Sequence, residues 1–268
     1  MKKILFSFLL IVSSNALFSQ IKMVSWNLEN FGKSKSDAAL SFIANTLKDY
    51  EIIAIQEVVA GNGGAQAVAK LADELNRKGG KWEYVISEPT SSSAYKTERY
   101  AFLWKSSKIK IVGKPWLEKK YHLEIDREPF YATFENNKKR FTLANFHAIT
   151  KERQPETEIK YFKLLPLQYP DLNLIFLGDF NCPQSHSVFK PLRIMQYESV
   201  FFNQKTSLRK NVHFNDCLAS EFDNIWYDKR KIKILNAKVV LFFKSFPSFA
   251  EARKISDHIP IEMEFTIN

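Results

Sequence analysis

The chain switches repeatedly between short apolar runs rich in β-branched and aromatic residues and longer stretches where apolar residues recur every three or four positions. Beyond residue 20 the first run is "IKMVSWN"; then comes "SDAALSFIANTLKDY", with Ala39, Leu40, Ile43 and Leu47 on one helical face, and then "EIIAIQE". That succession predicts a βαβ unit. A second helix is predicted in "AQAVAKLADELNRK", where Val68, Leu71 and Leu75 share a face. Another follows Pro155, whose neighbours Glu156 and Glu158 suit the positive end of a helix. The glycine-rich "GNGGAQ" reads as a mobile surface loop, and it is no phosphate-binding P-loop because no Lys-Ser/Thr pair follows it. Further strands are predicted in "WEYVIS", "YAFLW", "KIKIVG", "EPFYATFE", "KRFTLANFH", "LNLIFLG", "DNIWYD", "KIKILNAKVVLFF" and "IPIEMEFTI". Strands follow strands as often as helices do, which predicts an α/β fold of large mixed sheets with helices outside, not an all-parallel Rossmann sheet.

The polar positions add a second pattern. Asn27, Glu57, His147 and Asp179 close apolar runs, whereas Glu98, Asp223, Asp257 and His258 stand just before others begin. Antiparallel neighbours set one strand's exit beside the next strand's start, so these eight side chains can line one cleft. A carboxylate or amide at the end of a core strand is costly unless something pairs with it. "NLIFLGDFNCP", which runs straight from core residues into Asp179 and Asn181, therefore points to such a cleft. Hard oxygen donors without sulfur suit Mg²⁺ or Mn²⁺ at a phosphate site, or Ca²⁺ at a structural one. Glu57, Asp179 and Asp257 are the carboxylates assigned to that task. Two histidines with acidic neighbours supply the acid and base that phosphodiester cleavage needs.

Composition narrows the setting. Residues 1–20, "MKKILFSFLLIVSSNALFSQ", place two lysines before a short apolar core and then small and polar residues, the pattern of a secretory signal peptide. An exported protein, secreted or periplasmic, with no membrane anchor is expected; residues 21–268 read as one domain, and a monomer is expected. The net charge of +10 falls to +8 without Lys2 and Lys3, an excess that favours a polyanionic partner. The two cysteines, Cys182 and Cys217, are expected to form one disulfide in an oxidising compartment. No CxxC or His/Cys cluster suggests zinc.

Eight segments together carry a resemblance: "SWNLENFG" (25–32), "IIAIQEV" (52–58), "TERYAFLW" (97–104), "DREP" (126–129), "LANFH" (143–147), "FLGDFN" (176–181), "FDNI" (222–225) and "SDHIP" (256–260). In this order the chain resembles the endonuclease/exonuclease/phosphatase superfamily, and within it the deoxyribonuclease I-like branch. The resemblance implies a four-layer sandwich of two packed mixed β-sheets flanked by helices, with the active site at one edge. It implies Mg²⁺ held by Glu57, supported by Asn27, Asp179 and Asp257. His258 becomes the general base, oriented by Asp223; His147 becomes the general acid, oriented by Glu98. Asp179 would bind metal or help activate water, Asn181 would hydrogen-bond phosphate oxygens, and Arg127 would bind the scissile or a neighbouring phosphate. The implied activity is metal-dependent hydrolysis of DNA with little sequence preference. A lipid or sugar phosphoesterase on the same centre, or a silent DNA-binding module, are the alternatives.

Two departures concern how DNA is held. The animal nuclease carries, after its QEV segment, an arginine that enters the minor groove, whereas this chain has Val58, Val59 and then "GNGGAQ". The segment "AYKTERY" also carries Thr97 as an insertion, so a sugar contact from Tyr95 is not carried over.

Overall fold

The computed structural model describes residues 20–92, 97–210 and 217–268. The expected signal peptide lies outside the described residues except for Gln20, as does Tyr95. Among the described residues twelve strands run in chain order: β1 (Ile21–Phe31), β2 (Ile52–Val59), β3 (Trp82–Ile86), β4 (Glu98–Lys105), β5 (Lys110–Leu117), β6 (Phe130–Asn136), β7 (Lys139–His147), β8 (Leu174–Asp179), β9 (Tyr197–Ser199), β10 (Asp223–Asp228), β11 (Ile232–Val239) and β12 (Ile261–Ile267). They form two six-stranded sheets, ordered β11-β12-β1-β2-β4-β3 and β5-β6-β7-β8-β10-β9. Each sheet holds a single parallel pair, β1 with β2 and β7 with β8, among antiparallel neighbours.

The parallel pairs follow from their connections. Helix α1 (Asp37–Leu47) carries the chain back between β1 and β2, and Ser36 starts it by accepting from the Ala39 amide. Short helices at Glu156–Ile159 and Leu165–Gln168 do the same between β7 and β8.

Alternation along the strands decides what lies in each layer. On β1 and β2, Met23, Ile52 and Ala54 face the second sheet, while Val24, Ile53 and Ile55 face α1 and α2 (Asn62–Arg77). From the second sheet, Phe134, Leu143, Ile175 and Leu177 meet them, and Tyr131, Ala144, Phe146 and Phe176 turn outward against Ile159 and Phe162. Three apolar layers thus separate four layers of backbone, the sandwich expected from the sequence.

Two expectations need correction. Asn62–Gly64 of "GNGG" form the first turn of α2, not a surface loop, because the helix starts hard against β2. A Cβ on Gly64 would lie 2.0 Å from the Val59 carbonyl oxygen, so only glycine allows this approach. Cys182 and Cys217 are not joined: both are thiols. Cys182 packs among Phe180, Phe189 and Ile159 on the outer face of the second sheet, where burial pushes its thiol up to about 12. Cys217 belongs to a segment paired with Arg209, and its neighbours Leu208 and Leu218 pack on the helix side of the first sheet. Segment 239–249 turns back onto the first sheet, with Phe242 buried 5.1 Å from the Trp26 ring. Among the described residues no helix is long and apolar enough to cross a membrane.

Candidate active site

The strand ends predicted to converge do lie along one edge. His147 and Asp179 are the last residues of β7 and β8, and Glu98 and Asp223 the first of β4 and β10. Glu98, His147 and Asp179 border a cavity of about 750 Å³ together with Glu57, Arg127, Asn181, Asp257 and His258. Pairing sets the arrangement: β7 and β8 are parallel with His147 opposite Asp179, and antiparallel β10 puts Asp223 opposite the same Asp179.

Asp179 sits between two imidazoles. Its Oδ2 lies 3.5 Å from Nε2 of His147 and 3.5 Å from Nε2 of His258. Each ring is held from behind by a carboxylate. His147 Nδ1 meets Glu98 at 2.9 Å, and His258 Nδ1 meets Asp223 at 2.7 Å. Such contacts fix the tautomer and leave Nε2 facing the cleft.

The two pairs differ in charge. Burial pushes Glu98 up to about 7 even beside Arg127, and burial, reinforced by Arg127, presses His147 down to about 4. One proton shared between them therefore rests with the carboxyl, and His147 is a neutral imidazole. Burial alone would also lower His258, but the carboxylates of Asp223 and Asp179 overcome it and raise it well above the ordinary histidine range. His258 is thus the charged ring.

The acidic side of the cleft is built on bent backbone. Glu57 has φ 59° at a bulge where the register of β2 against β4 shifts between Ile55 and Val58. The bend turns its carboxylate off the sheet and into the cleft. Glu57 Oε1 accepts from Asn27 Nδ2 at 3.0 Å, and Asn27 Nδ2 also lies 3.2 Å from Asp179 Oδ2, so one amide spaces two carboxylates. Asn181, at φ 47°, gives its backbone amide to Asp179 Oδ1 and its Nδ2 to the Ala148 carbonyl. Asp257 borders the same cavity, but its carboxylate is tied to Arg253 at 3.7 Å. Burial raises Asp179, and burial followed by Asp257 and Glu57 raises Glu29. An excess of negative charge around oxygen donors without sulfur fits a hard divalent cation held by Glu57, Asp179, Asn27 and Asp257. A second donor cluster, Asp179, Asp223 and His258, has its donor atoms within 4.8 Å of one another. The 2.7 Å Nδ1 contact with Asp223 makes that group a proton relay in preference to a cation site.

Arg127 lines the cavity and is anchored from behind. Its Nε donates to the His147 carbonyl at 3.0 Å, one terminal nitrogen to Glu98 at 3.1 Å, and the other to the Ala148 carbonyl. It borders the cavity, yet all three nitrogens orient the residues behind His147.

Several supporting residues carried no signal in the sequence. Tyr100 accepts from the His147 amide and donates to the Arg127 carbonyl. Thr206 donates to Asp223 Oδ2 at 2.6 Å, the oxygen that meets His258. Ser256 donates to the Asn27 carbonyl and accepts from the His258 amide. Lys35, its charge disfavoured by burial, donates to the carbonyls of Lys254 and Ile255 just before that turn. A buried Thr, Ser, Tyr or Lys looks like any other in sequence, and only the long-range contact gives it a role.

Comparison with known proteins agrees with this geometry. The model of the "Endonuclease/Exonuclease/phosphatase family" matches residues 24–258. A deoxyribonuclease of Thioalkalivibrio sp. (strain K90mix) is 26% identical over 285 residues, covering 97% of this chain and 75% of that protein. Deoxyribonuclease-1 of Canis lupus familiaris is 31% identical over 178 residues, 62% of each chain. Among solved structures, a mannosyl-6-phosphatase of Bacteroides thetaiotaomicron aligns with TM-score 0.69 at 18% identity, over 92% of this chain and 99% of that one. D. rerio TDP2 with a single-strand DNA product aligns with TM-score 0.63 at 15% identity, over 92% and 99%. With two carboxylate-backed histidines around one aspartate, on two packed mixed sheets, and a family match spanning nearly the whole described domain, the chain belongs to the endonuclease/exonuclease/phosphatase family.

Proposed function

We propose that this chain is an exported, metal-dependent endonuclease that hydrolyses phosphodiester bonds in DNA with low sequence preference. The observation that carries the reading is Asp179 between two imidazoles, each backed by a carboxylate, beside an oxygen-donor cluster. The deoxyribonucleases among its relatives favour DNA as the substrate.

Glu57, Asp179, Asn27 and Asp257 would hold the cation. When bound, Mg²⁺ or Mn²⁺ neutralises phosphate charge and supplies hydroxide near neutral pH. The residues around it manage the protons. His147, with Nδ1 turned to Glu98, and His258, with Nδ1 turned to Asp223, both present Nε2 to the cleft, where the pair would supply the base that takes a proton from water and the acid that gives one to the leaving oxygen. Asn181 retains a second Nδ2 hydrogen for a phosphate oxygen, and Arg127 keeps Glu98 and the His147 backbone in place.

Nicking of supercoiled plasmid by the purified protein tests the reading. Cutting is expected with Mg²⁺ or Mn²⁺ and none in EDTA, with His147→Ala and His258→Ala each slower by roughly 100- to 10,000-fold. Metal-independent cutting, or full activity in both variants, would overturn it.

A further inference from the structure

Among the described residues, the wall of the catalytic cavity next to β2 is lined by Val59 and Ala60, where the resembling animal nuclease has its groove-reading arginine. The opposite side carries Lys151 and Arg153, from the short helical turn that follows His147, and Lys210, from the segment that follows Ser207. All three are exposed, and among the described residues none forms an ion pair, whereas Arg127 and Arg253 are both engaged by carboxylates. The two segments are far apart in sequence but close in space, since Glu152 feels the charges of both Lys151 and Lys210. Each also extends from one histidine: Lys151 lies four residues beyond His147, and Lys210 three beyond Ser207, which pairs with His258. Exposed cations from both segments therefore gather on one wall of the cavity, beside the two histidines.

We propose that Lys151, Arg153 and Lys210 form a phosphate clamp that grips the DNA backbone beside the scissile bond and replaces the missing groove contact. The inference rests on the nuclease reading above and adds where the substrate is held. A clamp of long, flexible cations reads charge and not sequence, so binding is driven by counterion release. Each lysine or arginine that neutralises one phosphate contributes roughly 0.9 to the slope of log K against log salt, which at about 0.1 M salt is roughly an eightfold gain.

The test is steady-state plasmid and duplex cleavage over a series of salt concentrations, with Lys151→Ala, Arg153→Ala, Lys210→Ala and the triple variant. Each single variant is expected to raise KM several-fold with kcat within about twofold, and to flatten the salt slope of kcat/KM by about 1. Lys151→Arg and Lys210→Arg are expected to restore both. Hydrolysis of a small chromogenic phosphodiester, which has no neighbouring phosphates, is expected to be unchanged in all of them. Unchanged KM and salt slope in the variants, with the wild type cutting normally, would overturn the clamp alone. Failure of the wild type to cut DNA would overturn the nuclease reading, and the clamp with it.

Discussion

At the residue scale, the site is a distribution of protons among buried groups. Glu98 and His147 hold one proton between them when folded, on Glu98. The unfolded chain also holds one between the ordinary values of 4.5 and 6.5, on the histidine. The pair's opposite pH dependences therefore largely cancel. His258 has no such compensation. Its folded value is raised by Asp223 and Asp179, so its contribution to stability is complete below the unfolded value of 6.5 and is lost as pH rises through the folded value. Chemical denaturation in EDTA at a series of pH values checks this. The stability gap between wild type and His258→Asn is expected to be widest at pH 6 and to narrow steadily as the pH climbs. A gap independent of pH would show that Asp223 and Asp179 do not hold the ring charged. From sequence, the residues of these pairs were recognisable but not their charges, which come from contacts dozens of positions away. Arg127 shows the same limit: its type suggested a phosphate ligand, and its place behind Glu98 depends on the turn that carries the Ala148 carbonyl.

At the element scale, active-site side chains are delivered by irregularities in otherwise regular strands. Gly178 is the clearest case. It pairs with Phe146 across the parallel β7–β8 ladder, has φ 130°, and a Cβ there would stand 2.0 Å from the Phe146 carbonyl oxygen. Gly178→Ala is expected to cost about 3 kcal/mol or more, measured by urea unfolding, because both the backbone conformation and the ladder must give way. A loss under about 0.5 kcal/mol would show that β8 can move aside. Strand and helix positions were largely legible in the apolar periodicity, as for β10 and α1. The bulge at Glu57, the left-handed Asn181 and the early start of α2 were not. Each depends on a neighbour packed against the backbone, and "GNGG" reads as a loop until β2 is seen beneath it.

At the scale of the whole molecule, the edge works only because two sheets meet there. Asn27, Glu57 and Glu98 come from the first sheet, and His147, Asp179 and Asp223 from the second. The layer between them is apolar except for a buried amide contact directly below the site, where Gln56 Nε2 reaches Ser25 Oγ at 3.0 Å and also bonds Asn145 Oδ1. The order of strand-end polar residues foretold this meeting, because the sandwich was legible from strands following strands. The cysteine pairing was not legible, since two cysteines near one strand end in sequence lie against different apolar layers.

The central claim is that both histidines act in one step on one phosphodiester. Single-turnover cleavage of a labelled duplex in Mg²⁺ by wild type, His147→Ala, His258→Ala and the double variant tests it most directly. Groups that act as a unit are strongly non-additive, so each single variant is expected to fall by roughly a thousandfold and the double by no more than about a further tenfold. A wild-type rate in either single variant, or losses that multiply in full in the double, would contradict the account.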